Sequence, residues 1–129
     1  MDKLVIRVRD KAFAATLLDN ATARALRALL PLSITMTELN GNEKFSRLSS
    51  RLPTQPSTPS SIQAGDLMLY GSDTLVLFYE SFSTTYSYTK IGCVDQPAGL
   101  AAALGSGDVT VTFELQRPPS ANRNACRCE

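Results

Sequence analysis

FAATLLDNATARALRALL, spanning Phe13 to Leu30, changes its periodicity midway. Phe13, Ala15 and Leu17 alternate with smaller or polar neighbours, the two-residue period of a strand with one buried face. Asp19-Asn20 then supplies side-chain oxygens that accept from the free amides of a first helical turn. Ala25, Leu26, Leu29 and Leu30 follow as a helical stripe, with Arg24 and Arg27 facing elsewhere. Pro31 stops the helix, because its ring and missing donor do not fit the ladder. The segment therefore predicts strand, acidic cap and helix in immediate succession.

Upstream, Leu4, Ile6 and Val8 oppose Val5, Arg7 and Arg9, which predicts a half-buried first strand turned at Asp10-Lys11 into a hairpin. Downstream, Leu32, Ile34 and Met36 alternate with Ser33, Thr35 and Thr37 as a third strand. Asn40-Gly41, two residues that tolerate positive φ, turns it into a fourth near Glu43 to Leu48. Ser49 to Ser61 holds Pro53, Pro56 and Pro59 among hydroxyl residues and predicts a long extended surface loop. Strands are expected at Leu67 to Tyr70, at the apolar run Thr74 to Tyr79, and at Tyr86 to Val94, with Ser81 to Thr85 as loop. Asp95 is placed to cap a short helix over Pro97 to Leu104 that exits at Gly105. Val109, Val111 and Phe113 form the last strand. Residues 1–115 thus make one domain, and 116–129 a polar flexible tail. The order is two strands, helix, five strands, helix, strand. Eight short strands favour a mainly β, closed antiparallel barrel whose interior side chains fill it, with the two helices stopping its ends.

Composition excludes more chemistry than it offers. Of 129 residues, 43% are hydrophobic and 19% charged, enough for a packed core. Lysine plus arginine is 13 against 12 acidic residues, so charge gives no case for a nucleic-acid partner. Histidine is absent, which removes Ser-His-Asp, Cys-His and His-metal sites. The cysteines are Cys93, Cys126 and Cys128, an odd number without redox spacing; Cys93 lies in an apolar strand and is expected in the core. No metal and no cofactor are expected. No run approaches the roughly 18 apolar residues of a membrane span, so a non-membrane protein of the reducing cytoplasm is expected.

The element order and several spaced motifs resemble the cyclophilins. Phe13 to Leu30 is similar to the family's second strand and first helix, and Ile91-Gly92-Cys93-Val94 with Gly99-Leu100 to a late Phe-Gly-x-Val segment. LNGNEK (39–44), AGDLMLYG (64–71), YSYTKIG (86–92) and LGSGDVTVTF (104–113) look closer still to the compact bacterial cyclophilin-like domain family. The resemblance covers roughly residues 3 to 115 and implies the cyclophilin-like barrel. True cyclophilins are prolyl isomerases that hold proline on the barrel wall, with an arginine donating to the prolyl nitrogen and weakening amide resonance. Phe45-Ser46-Arg47 keeps the phenylalanine and arginine of the family's Phe-His-Arg but not the histidine. Gln63-Ala64-Gly65-Asp66-Leu67 is a partial counterpart of Gln-Gly-Gly-Asp-Phe, and the family's tryptophan and histidine have no counterpart.

Arg47 is accordingly the candidate catalytic residue. Phe45, Met68, Tyr70, Phe78 and Tyr79 are candidates for an apolar ligand pocket, with barrel wall as the competing role. Phe82, Tyr86 and Tyr88 cluster among hydroxyl residues, a combination suited to a peptide or small amphiphilic ligand. Asn40, Asn42 and Glu43 are candidates for polar contacts at a site mouth, with turn chemistry and a solvated carboxylate as the competing and favoured reading. Three functions follow: a noncatalytic binding module for a short peptide or small molecule, a weak prolyl isomerase using Arg47, or a scaffold docking a partner protein. Oligomeric state is not readable from these residues.

Overall fold

The computed structural model describes residues 2–116; Met1, most of the expected tail, and Cys126 and Cys128 lie outside the described residues. Twelve elements follow in order: β1 (Lys3–Val8), β2 (Lys11–Leu17), α1 (Ala21–Arg27), β3 (Leu32–Leu39), β4 (Glu43–Arg47), β5 (Ser61–Ile62), β6 (Asp66–Tyr70), β7 (Thr74–Phe78), β8 (Phe82–Ser83), β9 (Thr89–Val94), α2 (Leu100–Leu104) and β10 (Val109–Leu115). Eight strands close a barrel in the order β1-β10-β3-β4-β7-β6-β9-β2, and β5 pairs with β8 as a separate ribbon. Every barrel pairing is antiparallel. The expected eight-stranded cyclophilin-like barrel is therefore present.

Alternation fills the interior. Leu4, Ile6 and Val8, Ala15 and Leu17, Leu67 and Leu69, Leu75 and Leu77, Val111 and Phe113 form one buried cluster. Ala23 and Leu26 from α1 and Leu100, Ala103 and Leu104 from α2 join it. α1 links the end of β2 to the start of β3, and α2 links the end of β9 to the start of β10. In an antiparallel barrel with these registers those two junctions lie at opposite mouths, so each helix stops one end.

Several local expectations change at their edges. Asn20 is the cap of α1, accepting from Ala23 N at 2.8 Å, while Asp19 pairs with Arg24. The helix ends at Arg27, short of Pro31, and closes with tighter bonds from Leu29 N to Leu26 O and Leu30 N to Arg27 O. Asp95 does not cap α2; it accepts from Thr16 Oγ1 and pairs with Lys3, and Gly99, at φ 86°, precedes the helix instead. The strand expected over Tyr86 to Val94 begins at Thr89, with Tyr88 bridging Ser57. Part of the expected 81–85 loop is β8. Cys93 is exposed, not in the core. Gly92 beside it packs so closely that a Cβ would lie 2.2 Å from Thr16 O.

The proline-bearing segment is extended, as expected, and tied down along its length. Leu52 N donates to Ser72 O, Thr22 Oγ1 to Pro53 O, Gln55 N to Thr89 Oγ1, and Ser57 exchanges backbone bonds with Tyr88. Prolines leave these carbonyls free while removing donors that would have no partner.

One interior position is charged. Lys44 is fully buried, and its Nζ donates to Gly105 O at 2.8 Å and Gly107 O at 2.5 Å and pairs with Glu38 at 3.0 Å. Three protons meet three oxygens, which makes a buried ammonium tolerable. The carbonyls lie just after α2, so Lys44 ties β4 to the stopper at that mouth. Arg9 Nε adds a second bond there, to Ala103 O. Lys44→Met, which keeps the length and removes the donors, is expected to cost about 3–5 kcal/mol in urea unfolding. Gly92→Ala is expected to cost about 1–3 kcal/mol by overpacking; loss of less than about 0.5 kcal/mol in either variant would contradict these packing assignments.

Candidate functional site

The outward face of the wall formed by β4, β7 and β6 is built in cross-strand rows. Glu43 stands opposite Phe78; Phe45 opposite Val76 and Val76 opposite Met68; Arg47 opposite Thr74 and Thr74 opposite Tyr70. Since Leu75, Leu77, Leu67 and Leu69 face the barrel interior, these alternate residues must face out. They are not left wet. Ile62, Met68, Val76, Phe78 and Tyr88 form a second buried cluster, with Phe45 and Phe82 packed against it. The β5–β8 ribbon and the chain entering β9 thus cover part of the wall.

Where that cover stops, a groove of about 510 Å³ remains, lined by Leu39, Asn40, Glu43, Phe45, Tyr70, Thr74, Val76, Tyr86 and Tyr88. Four of the sequence-predicted ligand residues, Phe45, Tyr70, Tyr86 and Tyr88, come together here. Met68 and Phe78 are buried in the second cluster, and Phe82 stacks on Phe78 at 5.7 Å, so these three support the groove without lining it. Tyr79 is elsewhere: it packs on the main core and its hydroxyl donates to Glu38 at 2.8 Å. Tyr70 sits between Tyr86 and Tyr88, at centroid distances of 6.3 and 5.8 Å and interplanar angles of 65° and 57°. A second groove lies on the other side of Tyr70 and Tyr88, walled by Thr54, Pro56, Ser72 and Ser87 among others. Arg47 does not line either groove. Its side chain is 80% exposed and pairs with Asp73 at 3.4 Å.

Two carboxylates near the start of β4 have opposite fates. Burial pushes Glu38 up, but hydrogen bonds from Lys44, Tyr79 and Gly41 N outweigh it and hold its carboxyl below the ordinary value. The same ion drives the Tyr79 hydroxyl, already raised by burial, up to about 12. Glu43 is only 7% exposed and has no hydrogen-bond or ion-pair partner among the described residues. Burial, then the Glu38 charge, pushes its carboxyl up to about 6. Of the two readings of Glu43, its 7% exposure and its place in the groove lining agree with a polar group at a site mouth rather than with a freely solvated turn carboxylate. The signal was present in the spacing, since Glu43 shares the outward phase of Phe45. Burial, with negative charge at Asp66 and Asp95, raises the Cys93 thiol, which argues against a nucleophile. Among the described residues no cluster of three or more acidic or thiol groups could hold a metal ion. No helix of the described residues is long and apolar enough to cross a membrane.

The raised Glu43 acidity constant has a stability consequence. Below pH 4.5 the carboxyl is protonated in both folded and unfolded chains and costs nothing. As pH rises toward about 6 the unfolded chain ionises first, so stability falls by about 2 kcal/mol in total. Glu43→Gln is expected to match the wild type near pH 4 and exceed it by up to about 2 kcal/mol at pH 7.5 in urea titrations. Parallel curves at both pH values would show that Glu43 is solvated.

Comparison with known proteins agrees with the architecture. A model of the cyclophilin-like family matches residues 6–114. No curated protein and no solved structure matches the chain. With the match running from β1 to β10 over a closed barrel of the expected order, the chain belongs to the cyclophilin-like family.

Proposed function

We propose that this protein is a noncatalytic binding module whose outer-wall groove takes a short extended peptide or a small amphiphilic molecule. The observation that carries this reading is the pair of uncovered rings at the groove, Tyr70 at 50% and Tyr86 at 63% exposed, above an apolar floor of Phe45 and Val76. Aromatic surface left open beside a concavity loses hydration cost only when something covers it, and rigid rings with a polar tip bury large area at low entropy cost.

A weak prolyl isomerase is the second reading. In its favour, Arg47 shares a cross-strand row with Thr74 and Tyr70. Against it, the guanidinium is engaged by Asp73 and would have to leave that partner to reach a prolyl nitrogen over the groove. The electrostatic help that lowers a rotational barrier of roughly 20 kcal/mol must be preorganised, not recruited from solvent.

Two measurements separate the readings. In a protease-coupled assay on a proline peptide, wild type and Arg47→Ala are both expected to run at the uncatalysed rate; a rate above background that Arg47→Ala abolishes would establish the isomerase instead. In an amide-shift titration with N-acetyl-Phe-Lys-methylamide, changes are expected at residues 43–45, 70 and 86–88. Tyr86→Ala is expected to weaken binding about tenfold, while changing stability by less than about 0.5 kcal/mol because the ring is exposed.

A further inference from the structure

We infer that the outer-wall groove recognises an alkylammonium group, with Glu43 as its counter-ion and Tyr70, Tyr86 and Tyr88 as its aromatic walls. This inference rests on the groove being a ligand site and names what that ligand carries.

The first observation is the state of Glu43. It is more than nine-tenths buried, lines the groove, and has no donor among the described residues. The neighbouring cations are committed elsewhere. Lys44, next in the chain, faces the opposite side of β4 and spends its three protons on Gly105 O, Gly107 O and Glu38. Arg47, two residues along on the same face, pairs with Asp73. The charge that acts on Glu43 is that of Glu38, of the same sign. Among the described residues the sealed side-chain oxygen without a hydrogen bond is Asn42 Oδ1, so the Glu43 carboxylate, which also has no partner, opens to the groove; a carboxylate held at so apolar a wall is costly to ionise unless a cation joins it. A cation entering from the groove supplies the missing partner.

The second observation is independent of charge on the chain. Tyr70 meets Tyr86 and Tyr88 at steep angles, so the three rings are not a parallel stack. Tyr88 lines the same groove as Glu43. Ring faces carry negative quadrupole density, and a cation within about 6 Å of a centroid is attracted to it. Tilted rings enclose a compact, rounded cation; a flat guanidinium is better served by parallel faces and a bidentate carboxylate. One carboxylate among aromatics is also a poor site for a hard metal cation, which requires six or more oxygens.

The test compares N-acetyl-Phe-Lys-methylamide with its norleucine counterpart, which lacks the charge, and adds benzyltrimethylammonium, a quaternary cation free of any peptide, as a third arm. Binding is read by amide-shift titration of the intact chain. The lysine probe is expected to bind about tenfold more tightly than the norleucine probe, and Glu43→Gln to erase that preference. Benzyltrimethylammonium shifting the same amides with the same Glu43 dependence would place the recognition in the cation itself; lysine-only binding would assign it to peptides, and either supports the inference. Equal binding of the lysine and norleucine probes by wild type would overturn it while leaving a ligand groove in place. No binding of any probe would overturn both. The wild-type comparison of the two peptides does not depend on how any variant folds.

Discussion

A single buried ammonium sets the phase of β4. Lys44 points into the barrel and meets three oxygens, two of them from the chain leaving α2. Side chains alternate along a strand, so fixing Lys44 inward fixes Glu43 and Phe45 outward. A slip by one residue would put Glu43 and Phe45 into the core and leave Lys44's acceptors empty, which is a prohibitive exchange. The groove's floor and its charge therefore follow from an interaction on the other side of the same strand.

The wall that results is buried on both faces. Leu75 and Leu77 pack inward, while Val76 and Phe78 pack under the β5–β8 ribbon. That double burial explains why Thr74 to Phe78, like Leu67 to Leu69 in β6, is almost uniformly apolar while β1 and β10 alternate. It also fixes where the groove is. The ribbon covers Phe78 and Met68 but stops before Phe45, leaving a step from sealed second core to open surface. Tyr70 and Tyr88 form the ridge at that step and divide one concavity from the next.

Much of the architecture was legible in the residues. Alternation in β1, β2, β3 and β10, the Asn20 cap, Pro31 and Asn40-Gly41 each act within a few residues, so each leaves a local mark. Phe45 and Tyr70 stood out in one aromatic and apolar set and Tyr86 and Tyr88 in another, and only the fold brings the two pairs to one groove. What sequence could not convey is pairing at distance. Charged residues in strands ordinarily face water, so Lys44 carried no sign of burial and Glu43 none beyond sharing the phase of Phe45; their surroundings come from residues 105–107 and 86–88. The order of the proline-bearing segment likewise depends on Thr22, Tyr88 and Thr89, contacts that no local pattern announces. Arg47 matched a motif by spacing, yet Asp73, in the turn that enters the neighbouring strand β7, pairs with its guanidinium.

Because inward positions hold the cylinder shut and outward ones shape the concavity, two texts are written on the same strands in alternate letters. Met68, Tyr70 and Val76 are interleaved with Leu67, Leu69, Leu75 and Leu77, yet the two sets meet different neighbours. Mutational drift in one script leaves the other readable. Substitutions at Tyr70, Tyr86 or position 43 would reshape the concavity while leaving the inward-facing leucines of the cylinder untouched.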